Sequence, residues 1–203
     1  MARQRQSLED RSEQEQQQAQ VQSQLYGVLF AVGIVVVVGL AIYFFVFNNE
    51  QSLPELNPDF DIEAIVDNSE EFPVLSRDHI PDSQEREYNS NPPTSGPHSG
   101  RWVSPIGVFT TQLSDTMLIH NLEHGHVWIS YRDEDDDEAI ALLTAIQNKY
   151  SDRVVVTYRP ENDARIAVTA WSRLMNMNEL DSDQIEAFIV RYSDQAPESI
   201  MEG

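Results

Sequence analysis

Twenty-three consecutive residues without a charge, Leu25 to Phe47, constrain this chain more than any other feature. As a helix the run would be about 34 Å long, enough to cross a hydrocarbon core of ~30 Å with some tilt. A small domain seldom hides that much apolar surface on every face of one helix. A cleaved signal peptide fits less well, because its apolar part is usually ~7–15 residues and no small-x-small site follows Phe47. The run therefore predicts one retained transmembrane helix over 25–47, in contact with the lipid bilayer.

Orientation follows from the basic residues on either side. Arg3, Arg5 and Arg11 precede the run, and no Lys or Arg follows it until Arg77. The N-terminus is expected in the cytoplasm and residues 48–203 outside it, as a single-pass protein of the cell membrane. Residues 1–24 form a polar tail with seven Gln between Gln14 and Gln24, which lacks the pattern to bury a core. Residues 48–76, with Pro54, Pro58 and Pro73, read as an acidic linker, and 77–203 as the exterior domain.

The charge lies almost wholly in that exterior part. The chain has 34 Asp and Glu against 13 Lys and Arg, a net −21. In the tail, three arginines face Glu9, Asp10, Glu13 and Glu15, so it contributes about −1. Such a balance excludes nucleic acid, whose phosphates require a basic surface. The absence of cysteine excludes disulfides, thiolate metal sites, iron–sulfur clusters and a Cys nucleophile. No glycine-rich phosphate loop or dinucleotide fingerprint is present.

Secondary-structure signals improve along the domain. Arg77 to Phe109 holds five prolines and three glycines, so regular structure should be sparse there. Val127, Ile129 and Tyr131 alternate with His126, Trp128 and Ser130, as in a strand buried on both faces. The acidic run Asp133–Glu138 suits the start of a helix carrying Ala139, Leu142, Leu143 and Ile146. Two further strands follow, over 153–159 and 165–171, joined by a turn at Pro160–Asp163. A last helix presents Ile185, Phe188, Ile189 and Tyr192 at helical spacing. The β-α-β-β-α order after residue 120 predicts an α+β domain with helices packed on a sheet.

All five histidines fall between His79 and His126, and three lie in His120-Asn-Leu-Glu-His124-Gly-His126. Neutral imidazole is the commonest metal ligand. Without thiolates, a histidine and carboxylate set suits copper or zinc. On a helix, His120 and His124 would share a face with Glu123 beside them. In a strand, His120, His124 and His126 would share one. Gly125 suggests a break between helix or turn and strand, and His98 can join from the Pro/Gly-rich loop. His120-x-x-Glu123-His124 also matches the inverted zinc-peptidase motif, although a glycine and a strand follow at once.

The residues Tyr88-Asn-Ser-Asn-Pro-Pro-Thr-Ser-Gly-Pro-His98 and His120-Asn-Leu-Glu-His-Gly125 resemble the domain-of-unknown-function 3105 family, found mainly in bacteria behind an N-terminal anchor. The resemblance continues through Pro160 and Ala170-Trp171 to Pro197-Glu198. It implies histidine at positions 79, 98, 120 and 124 and glutamate at 123, and it supplies no activity. His126 departs from the family pattern and ranks last among the ligands.

The expectation is an exterior domain that holds a transition metal, copper or zinc. Its ligands would be His98, His120 and His124, with His79 or Glu123 as a fourth. Tyr88 and Asn89 would shape the pocket, and Trp171 would pack near it. Binding, delivery or sensing fits better than turnover, because no nucleophile or substrate cleft can be named. Two other readings remain: a structural or assembly module of a membrane protein complex, and a zinc hydrolase using Glu123 as base.

Overall fold

The computed structural model describes residues 52–81, 84 and 86–199, together with 22, 24, 25, 27 and 29–43. It divides into two units, residues 1–52 and 53–203. In the first, residues 29–43 are helical and every side chain among them is exposed. Among the described residues no helix is long and apolar enough to cross a membrane. Most of the polar tail, and positions 26, 28 and 44–47 of the apolar run, lie outside the described residues.

The second unit is a mixed α+β domain. In chain order its strands are β1 (Glu70–Glu71), β2 (Val108–Gln112), β3 (Val127–Tyr131), β4 (Val154–Tyr158), β5 (Ile166–Ala170) and β6 (Arg173–Met177). Its helices are α1 (Asp115–Glu123), α2 (Asp137–Lys149) and α3 (Ser182–Tyr192), with a 3-10 turn at Ile62–Ala64. The strands form one sheet in the order β1-β6-β5-β3-β4-β2. β3 pairs in parallel with β4, and β4 in parallel with β2, while β5, β6 and β1 continue the sheet antiparallel.

Alternation along β3 explains the layers. Val127, Ile129 and Tyr131 face a large core with Leu143 and Ile146 of α2 and Ile185, Phe188 and Ile189 of α3. Trp128 and Val155 face the other side, where Leu118, Ile119 and Leu122 of α1 and Trp171 form a smaller core. All five residues of β3 are buried, as expected for a strand with helices on both faces. The acidic run starts α2 as anticipated: the Asp136 carboxylate caps it by accepting from Ala139 N.

Two expectations change. The order after residue 120 is β-α-β-β-β-α, because Arg173–Met177 forms a strand that the polar Arg173 and Asn176 disguise. In the sheet, β3 lies between β4 and β5, the two strands on either side of the Pro160–Asp163 turn. Residues of the expected linker also belong to the domain. β1 pairs with β6, Leu56 packs on the large core, and Arg191 of α3 donates to the Ile62 and Ile65 carbonyls.

A buried polar network fixes the start of α1. The Arg159 guanidinium, 6% exposed, donates to both carboxylate oxygens of Asp115, the first residue of α1. Its Nη1 donates to Asn91 Oδ1 at 2.7 Å and to Asn162 Oδ1 at 3.1 Å. Removing one partner from such a pair leaves a buried charge short of hydrogen bonds. Asp115→Ala should therefore cost roughly 2–3 kcal/mol in urea unfolding. Arg173→Ala, which breaks an exposed pair with Glu71, should cost under about 1 kcal/mol.

Candidate metal centre

Two segments of irregular chain and the last turn of α1 build the site. The first segment carries His79, held beside His98 by a parallel bridge in which Ile80 N donates to His98 O and His98 N to Asp78 O. The second is the proline-rich loop leading to His98. Tyr88 Oη donates to Pro97 O at 2.9 Å, and Leu75 N donates to Ser95 Oγ at 3.0 Å. Ser172 N, in the β5–β6 turn, donates to Thr94 O, and Ser99 N donates to Thr116 O of α1. Gly96 has φ +127°, and a Cβ there would lie 3.0 Å from the Tyr88 ring. Only glycine fits that conformation at that approach. Thr94, Ser95, His98 and Ser99 are all buried as a result.

The third component is the end of α1. His124 is its C-cap, and Gly125 takes φ +90°. Gly125 N donates to Leu122 O and His126 N to Asn121 O, which is the Schellman arrangement. This closure sets His120 and Glu123 on the final turn, facing the loop, and starts β3 immediately afterwards. Asn121 braces it from inside: its Oδ1 accepts from Val103 N at 2.8 Å and its Nδ2 donates to Val103 O.

His79, His98, His120 and Glu123 converge. One potential ligand atom from each lies within 4.8 Å of all the others. The three imidazole centroids are 4.9–5.1 Å apart pairwise. Rings bound to one tetrahedral ion through ~2.0–2.1 Å bonds would have centres about 5 Å apart, so the spacing is that of a shared ion. Three side chains are deeply buried, with His98 at 0%, Glu123 at 1% and His120 at 7% exposure. His79 is half-exposed and forms the solvent side.

Several buried polar atoms of this group have no hydrogen-bond partner. His98 Nδ1 lies 2.8 Å from Gly96 O, so that nitrogen carries the ring proton and Nε2 keeps the lone pair. His98 Nε2 is 2.9 Å from Glu123 Oε2 yet off line for a hydrogen bond. His98 Nε2, His120 Nδ1 and Glu123 Oε1 are all buried and without a hydrogen-bond partner. Lone pairs on a neutral imidazole and a carboxylate repel at such a distance, and a cation between them removes the repulsion. Arg77, half-exposed at the rim, supplies positive charge only at 3.9 Å from Glu123 and 3.5 Å from Glu198.

The remaining predicted residues take other places. His124 lies outside the converging group: its Nδ1 is 2.8 Å from Glu198 O and its Nε2 is 3.0 Å from His120 Nε2. The cap position turns its ring toward the C-terminal segment, so His79 stands where His124 was expected. His126 is buried, its Nδ1 is 3.1 Å from Asn121 O, and its ring meets the edge of Trp102. Tyr88 shapes the loop through Pro97 and Gly96. Asn89 is exposed and donates to Pro73 O, away from the cluster. Trp171 packs beneath α1 in the smaller core. Asn121, Trp102 and Arg77 carried no sequence signal, because each acts through partners distant in the chain.

The family model described as "Protein of unknown function (DUF3105)" matches residues 79–202. The chain belongs to this family. The matched region opens on His79 and contains the whole histidine and glutamate cluster, whereas Arg77 lies before it. No curated protein and no solved structure matches the chain.

Burial, followed by the neighbouring His98, His124 and His79, and opposed by a backbone hydrogen bond with Ser99, holds the His120 ring at a pKa of about 4, below its ordinary 6.5. Between these values the unfolded chain takes up a proton at His120 and the folded chain does not. Stability of the metal-free protein therefore falls as pH drops from 6.5 to 4, by on the order of 3 kcal/mol in full. Urea unfolding at several pH values checks this, and His120→Gln should flatten the slope across that window.

Proposed function

We propose that the exterior domain binds one transition-metal ion, copper or zinc, through His79, His98, His120 and Glu123. The observation that carries this reading is the convergence of one potential ligand atom from each of these four residues within 4.8 Å of one another, in a group where His98 Nε2, His120 Nδ1 and Glu123 Oε1 are buried without a hydrogen-bond partner. Unpaired buried polar atoms are rare and costly. Three of them in one cluster, two from the last turn of α1 and one from the proline-rich loop, have a common explanation in a bound cation.

The half-exposed His79 side makes the ion reachable from solvent, which suits reversible binding, delivery or sensing. The domain's excess of acidic residues favours the approach of a cation. An extracytoplasmic, cysteine-free site of imidazoles inclines the assignment to copper, with zinc accommodated by the same donors.

In a structural or assembly module the histidines would serve to hold backbone carbonyls. His98, His124 and His126 each do so through Nδ1, to Gly96, Glu198 and Asn121. Those bonds use one nitrogen per ring and leave the partnerless atoms unexplained, so metal binding accounts for more. Hydrolysis through the inverted peptidase motif is supported less. It requires both motif histidines on the ion and a free glutamate base, whereas Glu123 belongs to the converging group and His124 does not.

Elemental analysis of the purified full-length chain after incubation with Cu²⁺ or Zn²⁺ should give one equivalent per chain. His98→Ala/His120→Ala should retain under a tenth of it. Equal content in both proteins, or none in the wild type, overturns the assignment. Trp102, whose ring centroid lies 6.1 Å from that of His120, gives a second readout. Cu²⁺ should quench a fluorescence component that Trp102→Phe removes, and Zn²⁺ should leave it in place.

The membrane anchor belongs to the same proposal. Residues 25–47 hold the chain in the bilayer with its N-terminus in the cytoplasm and the metal domain outside. The full chain should sediment with membranes after carbonate washing, and a chain lacking 25–47 should remain in the supernatant. Protease added to intact spheroplasts should digest residues beyond 47; protection of that region would reverse the topology.

A further inference from the structure

His124 has a defined place beside the cluster although it is not among the converging ligands. Its Nδ1 is 2.8 Å from the Glu198 carbonyl oxygen. A carbonyl only accepts, so Nδ1 of His124 carries the proton. A neutral imidazole has one such proton, which leaves Nε2 of His124 as a bare acceptor. That atom lies 3.0 Å from His120 Nε2. His120 must therefore donate from Nε2, and its lone pair resides on Nδ1, the atom that is buried with no partner.

From this chain of hydrogen bonds we infer that His124 is a positioning residue. The relay from the Glu198 carbonyl through His124 fixes the tautomer and orientation of His120, so that its bare Nδ1 is presented to the ion. The inference rests on the metal-binding reading above and adds to it a residue and a backbone group outside the ligand set. His98 achieves the same result directly, with its own Nδ1 held by Gly96 O.

The same relay ties the C-terminal segment to the site. Glu198 N donates to Glu123 O at 3.0 Å, and Asp194 N donates to Gly125 O at 2.9 Å. The Glu198 carbonyl is thus held in place by the backbone of a proposed ligand, and it orients another proposed ligand in return. Outer groups that orient metal-bound histidines are typically worth 10- to 100-fold in affinity.

Two measurements on the full-length chain in detergent micelles test the relay. With ¹⁵N-labelled histidine and no metal, long-range ¹H–¹⁵N correlation should show His120 protonated at Nε2 and His124 at Nδ1. Protonation of His120 at Nδ1 overturns the inference, whether or not the protein binds metal. In a Zn²⁺ titration, His124→Leu should weaken affinity roughly 10- to 100-fold. His124→Gln keeps an acceptor for His120 Nε2–H and should stay within about threefold of wild type. Equal losses in the two variants would make His124 a ligand, and no loss in either would make it a bystander; both results overturn the relay. A wild-type chain that binds no Zn²⁺ or Cu²⁺ removes the metal reading, and the tautomers then decide the relay alone.

Discussion

A carboxylate and two imidazoles are buried together in this domain with their inward lone pairs unpaired. Glu123 and His98 are both withdrawn from the protein surface. Burying such groups is expensive unless something within the protein or bound to it pairs them. Much of the surrounding structure serves to hold that arrangement: the glycine-permitted turn at Gly96, the Schellman closure at Gly125, and the Arg159–Asp115 network at the start of α1. Each fixes backbone within or next to a segment that presents one of the ligand atoms.

The charge distribution acts at longer range. Nearly all of the net −21 belongs to residues beyond the apolar run. Around a group of three imidazoles and one carboxylate, this field raises the local concentration of cations. Arg77 stands 3.9 Å from Glu123 at the rim of the site.

Much of this was legible in the residues themselves. The strand at 127–131 and the helix at 137–149 follow from apolar alternation and from acids placed at a helix start. The histidine window pointed to the cluster because four of the convergent residues are histidine or the glutamate beside one. The selection among histidines was not legible. His120 and His124 are equivalent by spacing on a helix, and only the cap at His124, which turns its ring to Glu198, separates them. His79 was legible only as a candidate fourth ligand, since its place depends on a two-bond bridge to His98 across nineteen positions. β6 escaped because Leu174 and Met175 are buried on opposite faces of a strand whose other residues are partly exposed.

The ends of the sheet carry a consequence of another kind. One edge is β1, two residues long and made of Glu70 and Glu71, both exposed. The other is β2, whose register against β4 shifts between Phe109 and Gln112. An open edge invites a strand from another molecule wherever it is long, flat and apolar. A short acidic margin on one side and an irregular one on the other offer no ladder for such addition. Copies of this domain concentrated on a surface would repel one another at one margin and find no register at the other.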